Sequence, residues 1–340
     1  MDRGCLRVLV VGCGHMGAAH ARAYHALPGF EVVGLVARRP EARDRLAAEL
    51  GVGRTFSDFE EALASTKPDA VCVSTYPDTH ERFCVASLRA GAHVFVEKPL
   101  AEDLASAERV IQAARETGRA LVVGYILRHH PTWTRFVELA GTVGKPLVMR
   151  ISQNQQSTGE HWSKQQQLMR TVSPIVDCAV HYVDVMCQMT GSRPTHVQAV
   201  GARLAPELPE GMYNYGQLQL RFEDGSVGWY EAGWGPMMSD EAVFIKDVVG
   251  PLGSVTLRDG AFVRHRRDLD AQGAFVHADE VMKAPADLAL VDLCRREQEL
   301  FERAIREGLD LTSHHEATQL SVRLVLAADE SIRTGSTVAL

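Results

Sequence analysis

The run LRVLVVGCGHMG, Leu6 to Gly17, admits few folds. Its almost continuous apolar start is the pattern of a parallel strand covered on both faces. Gly12, Gly14 and Gly17 then form GxGxxG directly after that strand, at the opening of a helix that carries Ala18 to Leu27. Gly12 permits the tight turn, Gly14 lets backbone N–H groups approach a pyrophosphate, and Gly17 lets the helix pack close to the sheet. The helix N-terminus adds partial positive charge. A dinucleotide is the ligand such a loop is built for, with His15 and Met16 on the same contact surface.

Strand and helix patterns alternate over the first 125 residues. EVVGLVA, DAVCVST, AHVFVE and ALVVGY read as short buried strands, separated by helices after Pro40 and near 58–65, 79–90 and 102–117. A doubly wound parallel sheet is the economical packing. Beyond Tyr125 the texture changes to a helix over about 131–140, a strand KPLVMRISQ, a polar loop over 153–167 and a helix PIVDCAVHYVDVMCQMTG. Alternating strands follow from 195 to 267, with hairpin signals at Asp224-Gly225 and Asp259-Gly260. Two helices, near 287–307 and 314–334, close the chain. The expected architecture is α/β: a doubly wound domain over 1–125, then an α+β domain over 126–340 with an open, mainly antiparallel sheet. The last helix is free to pack back on the first domain.

Composition excludes some classes. The net charge of −7 argues against nucleic acid as the main partner. No stretch approaches the roughly 20 apolar residues of a membrane span, and the opening segment does not read as a signal peptide. Seven cysteines with no CxxC spacing read as reduced thiols of a cytoplasmic protein.

An NAD-specific loop places an acid about 20 residues after the last glycine. That position is Ala37, followed by Arg38 and Arg39. A missing carboxylate removes the ribose 2′-OH partner and the repulsion against a 2′-phosphate, and a neighbouring guanidinium can pair with that phosphate. NADP is therefore favoured, with NAD possible and Arg38 the first choice for the phosphate. Ser74, Thr75, His80 and Glu97 complete the candidate cofactor contacts.

Ligands bind at the carboxyl ends of parallel strands. Lys98 stands at such an end, in Glu97-Lys98-Pro99, with the proline fixing the turn. Further on, Asp177, His181 and Asp184 are spaced four and three apart, which on an α-helix puts them on one face. A general base, a polar packing face and a metal site all use such spacing; the absence of other clustered ligands makes no metal the expectation. The pairs His129-His130 and His314-His315 read as surface or hinge residues.

These residues together resemble the glucose–fructose oxidoreductase/inositol dehydrogenase/MocA (Gfo/Idh/MocA) oxidoreductases over nearly the whole chain. The matching segments are GCGHMGAAHA, THERFCVASLRAGAHVFVEKPLA, GYILRHHP and Asp177-x3-His181-x2-Asp184. The resemblance implies a Rossmann domain and a catalytic group of Lys98, Asp177 and His181. It also implies oxidation of a secondary hydroxyl of a sugar or cyclitol, or reduction of the ketone, and an open sheet that makes a homodimer or homotetramer. His181 suits general-base work because its unperturbed pKa lies near 6.5. Lys98 either stabilises developing alkoxide as an ammonium or, desolvated, carries the proton itself. Where the family often has Thr-Pro, this chain has Thr75-Tyr76-Pro77, which bears on cofactor detail.

For substrate, Tyr125, Arg128, Glu160, Trp162 and Trp234 are the candidates, with His161, Tyr230, Glu231, Asp240 and Glu241 nearby. Aromatic faces with acids suit a sugar, and the surplus of acids suits an amino sugar; lining of a dimer interface is the competing use. Two other functions fit the resemblance: a dinucleotide-sensing regulator without catalysis, and an NAD-dependent oxidation–elimination that cleaves glycosides.

Overall fold

The computed structural model describes residues 4–239 and 244–340. It divides into two compact units: residues 1–129 with 288–320, and residues 130–287 with 321–340. Among the described residues no helix is long and apolar enough to cross a membrane.

In the first unit, β1 (Leu6–Val11), β2 (Phe30–Val36), β3 (Thr55–Phe56), β4 (Ala70–Val73), β5 (His93–Glu97) and β6 (Leu121–Gly124) form a parallel sheet in the order β3-β2-β1-β4-β5-β6. Helices α1 (His15–Ala26), α2 (Pro40–Leu50), α3 (Phe59–Thr66), α4 (His80–Arg89) and α5 (Leu104–Thr117) connect the strands. The strand order reverses between β1 and β4, and the crevice at such a reversal is where doubly wound sheets bind ligands.

The second unit holds α6 (Pro131–Ala140), β7 (Val148–Gln156), α7 (Gly159–Leu168), a π-helical turn (Ile175–Ala179) and α8 (Val180–Thr190). Strands β8 (Pro194–Ala202), β9 (Tyr215–Phe222), β10 (Val227–Gly235), β11 (Lys246–Gly250), β12 (Gly253–Arg258), β13 (Ala261–Arg266) and β14 (Glu280–Lys283) follow. With β15 (Val338–Ala339) and β7 they build a nine-stranded sheet ordered β14-β13-β12-β11-β7-β10-β9-β8-β15. The sheet is antiparallel except that β10 runs parallel to β7, as the long connection through two helices and a hairpin allows. Both expected hairpins form; Asp259 and Gly260 take φ of +50° and +70°, the left-handed pair a type I′ turn needs.

The polar stretch 153–167 is not a loop. β7 runs to Gln156 and α7 begins at Gly159, burying Trp162 and Gln165 on one side while Glu160, Lys164 and Gln167 are exposed. Glutamine has good helix propensity, so polarity alone was a poor loop signal.

Helix α9 (Leu290–Glu307) belongs to the first unit, and α10 (Thr312–Thr334) contributes its residues to Leu320 there and the rest to the second. Phe301 of α9 stacks on Phe30 and meets Phe95 across ring centroids of 6.4 and 6.1 Å. β6 is the edge strand of its sheet, and α10 covers that edge: His314 Nε2 accepts the Val123 N–H at 2.9 Å and His315 Nε2 donates to the Leu121 carbonyl at 2.9 Å. The pair expected at the surface or a hinge thus shields an open strand.

Candidate active site

The glycine loop closes β1 onto β4. Gly12 takes φ +100°, and a Cβ there would stand 2.2 Å from the Ser74 carbonyl oxygen. A Cβ at Gly17 would stand 1.9 Å from the Gly12 carbonyl oxygen. At Gly14, by contrast, a Cβ would meet nothing within 4 Å. The first turn of α1 carries no acidic residue and no side-chain cap, so neither competes for its N–H groups. That combination fits the pyrophosphate of a dinucleotide. His15 is exposed and Met16 half-buried beside it.

Past the end of β2, Arg38 and Arg39 are exposed. Arg43, one turn into α2, was missed in the sequence. Its Nη1 donates to the Ala37 carbonyl at 3.2 Å, and its guanidinium opposes the burial that pushes the Cys13 thiol up to about 11. The guanidinium is thus bonded at the strand end, where its Nε also pairs with Asp44 at 2.8 Å. Its spacing in ARRPEARDR, four beyond Arg39, was the available signal.

After β4, Ser74 donates its N–H to Val11 O at 2.8 Å, and Thr75 shares a hydroxyl contact of 2.7 Å with Thr79. His80 is fully buried, with Nδ1 3.0 Å from the Pro99 carbonyl and Nε2 3.1 Å from that of Thr75. It ties the turn after β4 to the turn after β5 from within. Burial pulls its pKa below the ordinary imidazole value.

Lys98 follows β5 directly, half-buried, with a cis bond to Pro99. Its backbone N–H donates to Glu97 Oε2 at 3.2 Å, and Glu97 Oε1 lies 2.8 Å from His20 Nε2. The ammonium-bearing residue is thereby held at the backbone by a buried carboxylate. Tyr125 is buried in the first unit, edge-on to His314 at 6.1 Å and under the Arg128 guanidinium at 5.1 Å.

In the second unit the segment bearing Asp177 is π-helical rather than α-helical. A π-bulge changes which side chains share a face and often marks a functional site. Asp177 and His181 are half-buried while Asp184 is buried and accepts Gln188 Nε2 at 2.8 Å, so the three do not share one environment. Ser173 anchors the segment's start: its Oγ accepts the Val176 N–H at 3.1 Å and donates to Asp329 Oδ1 at 2.8 Å, which Tyr213 also engages. Burial first raises the Asp329 pKa, against those two bonds.

The remaining candidates are dispersed. Trp162 donates Nε1–H to Glu207 at 3.2 Å, and exposed Glu160 pairs with Lys164 at 2.8 Å. Trp234 is only 2% exposed, facing the interior of its unit rather than solvent. Tyr230 is buried against Tyr182 at 4.8 Å, and Glu231 accepts Asn154 Nδ2 at 2.6 Å. Asp240 and Glu241 lie outside the described residues.

Residues 6–125 match the oxidoreductase family with an NAD-binding Rossmann fold, and residues 137–245 match the GFO/IDH/MocA C-terminal domain. The 4-carboxy-2-hydroxymuconate-6-semialdehyde dehydrogenase of Sphingobium sp. is 28% identical over 324 residues, 91% of this chain and 93% of that protein. The inositol 2-dehydrogenase of Corynebacterium glutamicum strain R is 29% identical over 269 residues, 76% of this chain and 78% of that protein. An NAD binding oxidoreductase from Klebsiella pneumoniae shares the fold with a TM-score of 0.81 at 21% identity, covering 99% of each chain. The glycine loop at the sheet reversal, the EKP strand end and these matches agree, and the chain belongs to the Gfo/Idh/MocA family of NAD-binding oxidoreductases.

Proposed function

We propose that the protein transfers hydride between a nicotinamide dinucleotide and a secondary hydroxyl of a sugar, cyclitol or amino sugar, or the matching ketone, with Lys98, Asp177 and His181 as its catalytic group. The observation that carries this is the placement of Lys98 at the carboxyl end of β5, in the sheet whose reversal point bears the glycine loop. The kinship with an inositol 2-dehydrogenase supports the substrate class.

The nicotinamide supplies the hydride acceptor or donor when bound. The α1 N-terminus and Gly14 hold the pyrophosphate. Arg38 and Arg43 bracket the end of β2 with positive charge where NAD-specific relatives of this fold place a carboxylate, which favours NADP. His181 takes the hydroxyl proton, since an imidazole titrates near the working pH. The Lys98 ammonium holds the substrate oxygen as negative charge develops on it, and Asp177 binds a second hydroxyl.

The protein acts in a reducing compartment, consistent with seven cysteines that show no CxxC spacing. It forms a homodimer or homotetramer through the larger sheet, where Val227, Val148 and Val249 lie side by side on three strands and are 40%, 43% and 39% exposed.

The test is a titration with NADPH and NADH, followed by energy transfer from the four tryptophans, then a panel of sugars, cyclitols and amino sugars with the preferred cofactor. Tighter NADPH binding and turnover of a polyol support the reading. Binding of neither dinucleotide by cofactor-free protein rejects it.

A further inference from the structure

The buried stripe of α9 reads Leu293, Cys294, Glu297, Gln298, Phe301, Ala304. Two polar residues in the middle of an apolar stripe need a reason, because a buried polar group without a partner costs on the order of 1–3 kcal/mol. Glu297 is 1% exposed and neither of its carboxyl oxygens has a hydrogen-bond partner. Gln298 is fully buried, and its Nε2 donates to His20 Nδ1 at 2.9 Å. With Nδ1 accepting, the His20 ring carries its proton on Nε2 and donates it to Glu97 Oε1 at 2.8 Å. Glu97 Oε2 accepts the Lys98 N–H. The chain of donation is continuous: Gln298 to His20, His20 to Glu97, and the Lys98 peptide to Glu97.

A second carboxyl stands beside that chain. A Cβ on Gly124 would lie 3.5 Å from an oxygen of Glu97 and 3.5 Å from an oxygen of Glu297. Two carboxylates cannot both be charged in such surroundings. Glu97 receives the hydrogen bonds of His20 and the Lys98 peptide and Glu297 receives none, so Glu97 carries the charge and Glu297 the proton.

His20, Cys294 and Glu297 also bring ligand atoms within 4.8 Å of one another, as a metal site would. Both nitrogens of His20 are already committed, however, and burial raises the Cys294 thiol above its ordinary pKa. A metal would have to break both hydrogen bonds and displace the thiol and carboxyl protons.

We propose that His20, Gln298 and Glu297 are positioning residues for Lys98: the first two hold the Glu97 carboxylate charged and fixed against the Lys98 peptide, and Glu297 remains a neutral acid beside it. The proposal rests on the reading of Lys98 as catalytic. Burial, and then the charge on Glu97, raise Glu297 well above the usual carboxylate range, in keeping with that role. The titratable groups facing the cluster are His20 and Tyr24 from α1, Cys72 from β4, Glu97 from β5 and Cys294 from α9.

The test is amide hydrogen exchange at Lys98 in the full chain, without substrate. His20→Leu removes the donor to Glu97 and is expected to speed exchange at Lys98 about tenfold, the worth of one charge-assisted hydrogen bond. Amides of β4 and the rest of β5 should keep their protection. His20→Gln, which retains an N–H donor, should return Lys98 toward the wild-type rate; Gln298→Leu, one step further back, serves if His20→Leu does not fold. A uniform rise across the sheet, or no change at Lys98, overturns the positioning role. Difference infrared spectra of wild type and Glu297→Gln at neutral pH should show the carbonyl stretch of a protonated carboxylic acid; its absence overturns the neutral Glu297. With a polyol the wild type oxidises, His20→Leu should lower kcat and leave the dinucleotide Kd unchanged. If the wild type turns over no polyol, the function reading fails, while exchange and infrared still decide the network.

Discussion

A methyl group on Gly17 would overlap the carbonyl oxygen of Gly12, five residues earlier, at 1.9 Å. The two glycines are therefore one steric unit: the helix starts close to the strand end only because neither has a side chain. Gly17→Ala is expected to displace the turn, lowering the melting temperature and abolishing dinucleotide binding. Gly14→Ala meets open space, so its melting temperature should stay near wild type while dinucleotide affinity falls. Calorimetry and fluorescence titration on both variants separate the roles.

Lys98→Ala should lower kcat on the order of 10²–10³-fold, the usual loss when a group that stabilises developing charge is removed. The dinucleotide Kd should not change. Turnover surviving within about tenfold of wild type, inside that same comparison of transition-state stabilisers, contradicts the role.

Arg38→Ala and Arg43→Ala should each weaken NADPH binding about 10-fold or more, as loss of a charge-assisted contact does, and leave NADH binding nearly unchanged. Ala37→Asp should invert the preference, by restoring a ribose partner and repelling the 2′-phosphate. Competitive titration reads the ratio. Arg43 also has a structural contact at the Ala37 carbonyl, so its loss should cost some stability that Arg38→Ala does not.

The ends of β6 are held by neutral imidazoles. His93 Nδ1 accepts the Ala120 N–H at 2.9 Å, and His314 Nε2 accepts the Val123 N–H. Burial, then Arg119, lowers His93 to about 4; burial, then Arg128, lowers His314 to about 3. Both folded values lie below the unfolded value near 6.5. The stabilisation is thus complete above that pH and is lost as pH falls toward 4 and 3, because unfolding takes up protons there. His314→Gln keeps an acceptor without a titrating proton. It should flatten the fall of unfolding free energy between pH 6 and 4 by about one proton, ~1.4 kcal/mol per pH unit. An unchanged slope in urea titrations would rule out His314 as a source.

Val148→Glu places a charge in the middle of the exposed valine row on β10, β7 and β11. Light scattering should show the oligomer shift to monomer, with secondary structure retained.

The sequence made the first sheet readable because its strands are buried on both faces and bounded by glycine and proline, and the helices between them were placed within two residues or so. It misled where polarity and burial part company. Gln153 to Gln167 looked like a loop too polar for the core, yet one helical face of that stretch, with Trp162 and Gln165, is buried. His314 and His315 looked like surface residues because an imidazole pair gives no periodic signal; their partners are backbone groups almost 200 residues away. Asp177, His181 and Asp184 were legible as a spacing, but the π turn that carries Asp177 leaves no trace in residue type. Arg43 was hidden in an arginine-rich helix start. Glu297 and Gln298 passed as an ordinary charged helix because the residues they meet, Glu97 beside the first and His20 bonded to the second, lie far away in the sequence.

The first unit is written in two pieces, residues 1–129 and 288–320, with the body of the other unit between them. On the ribosome, the sheet of β1 to β6 emerges early, but Phe301, which packs against Phe30 and Phe95, is made only after residues 130–287. The nascent dinucleotide domain thus waits with an open apolar face through most of translation. Premature termination anywhere before Phe301 leaves a fragment whose oldest part has still not closed its core.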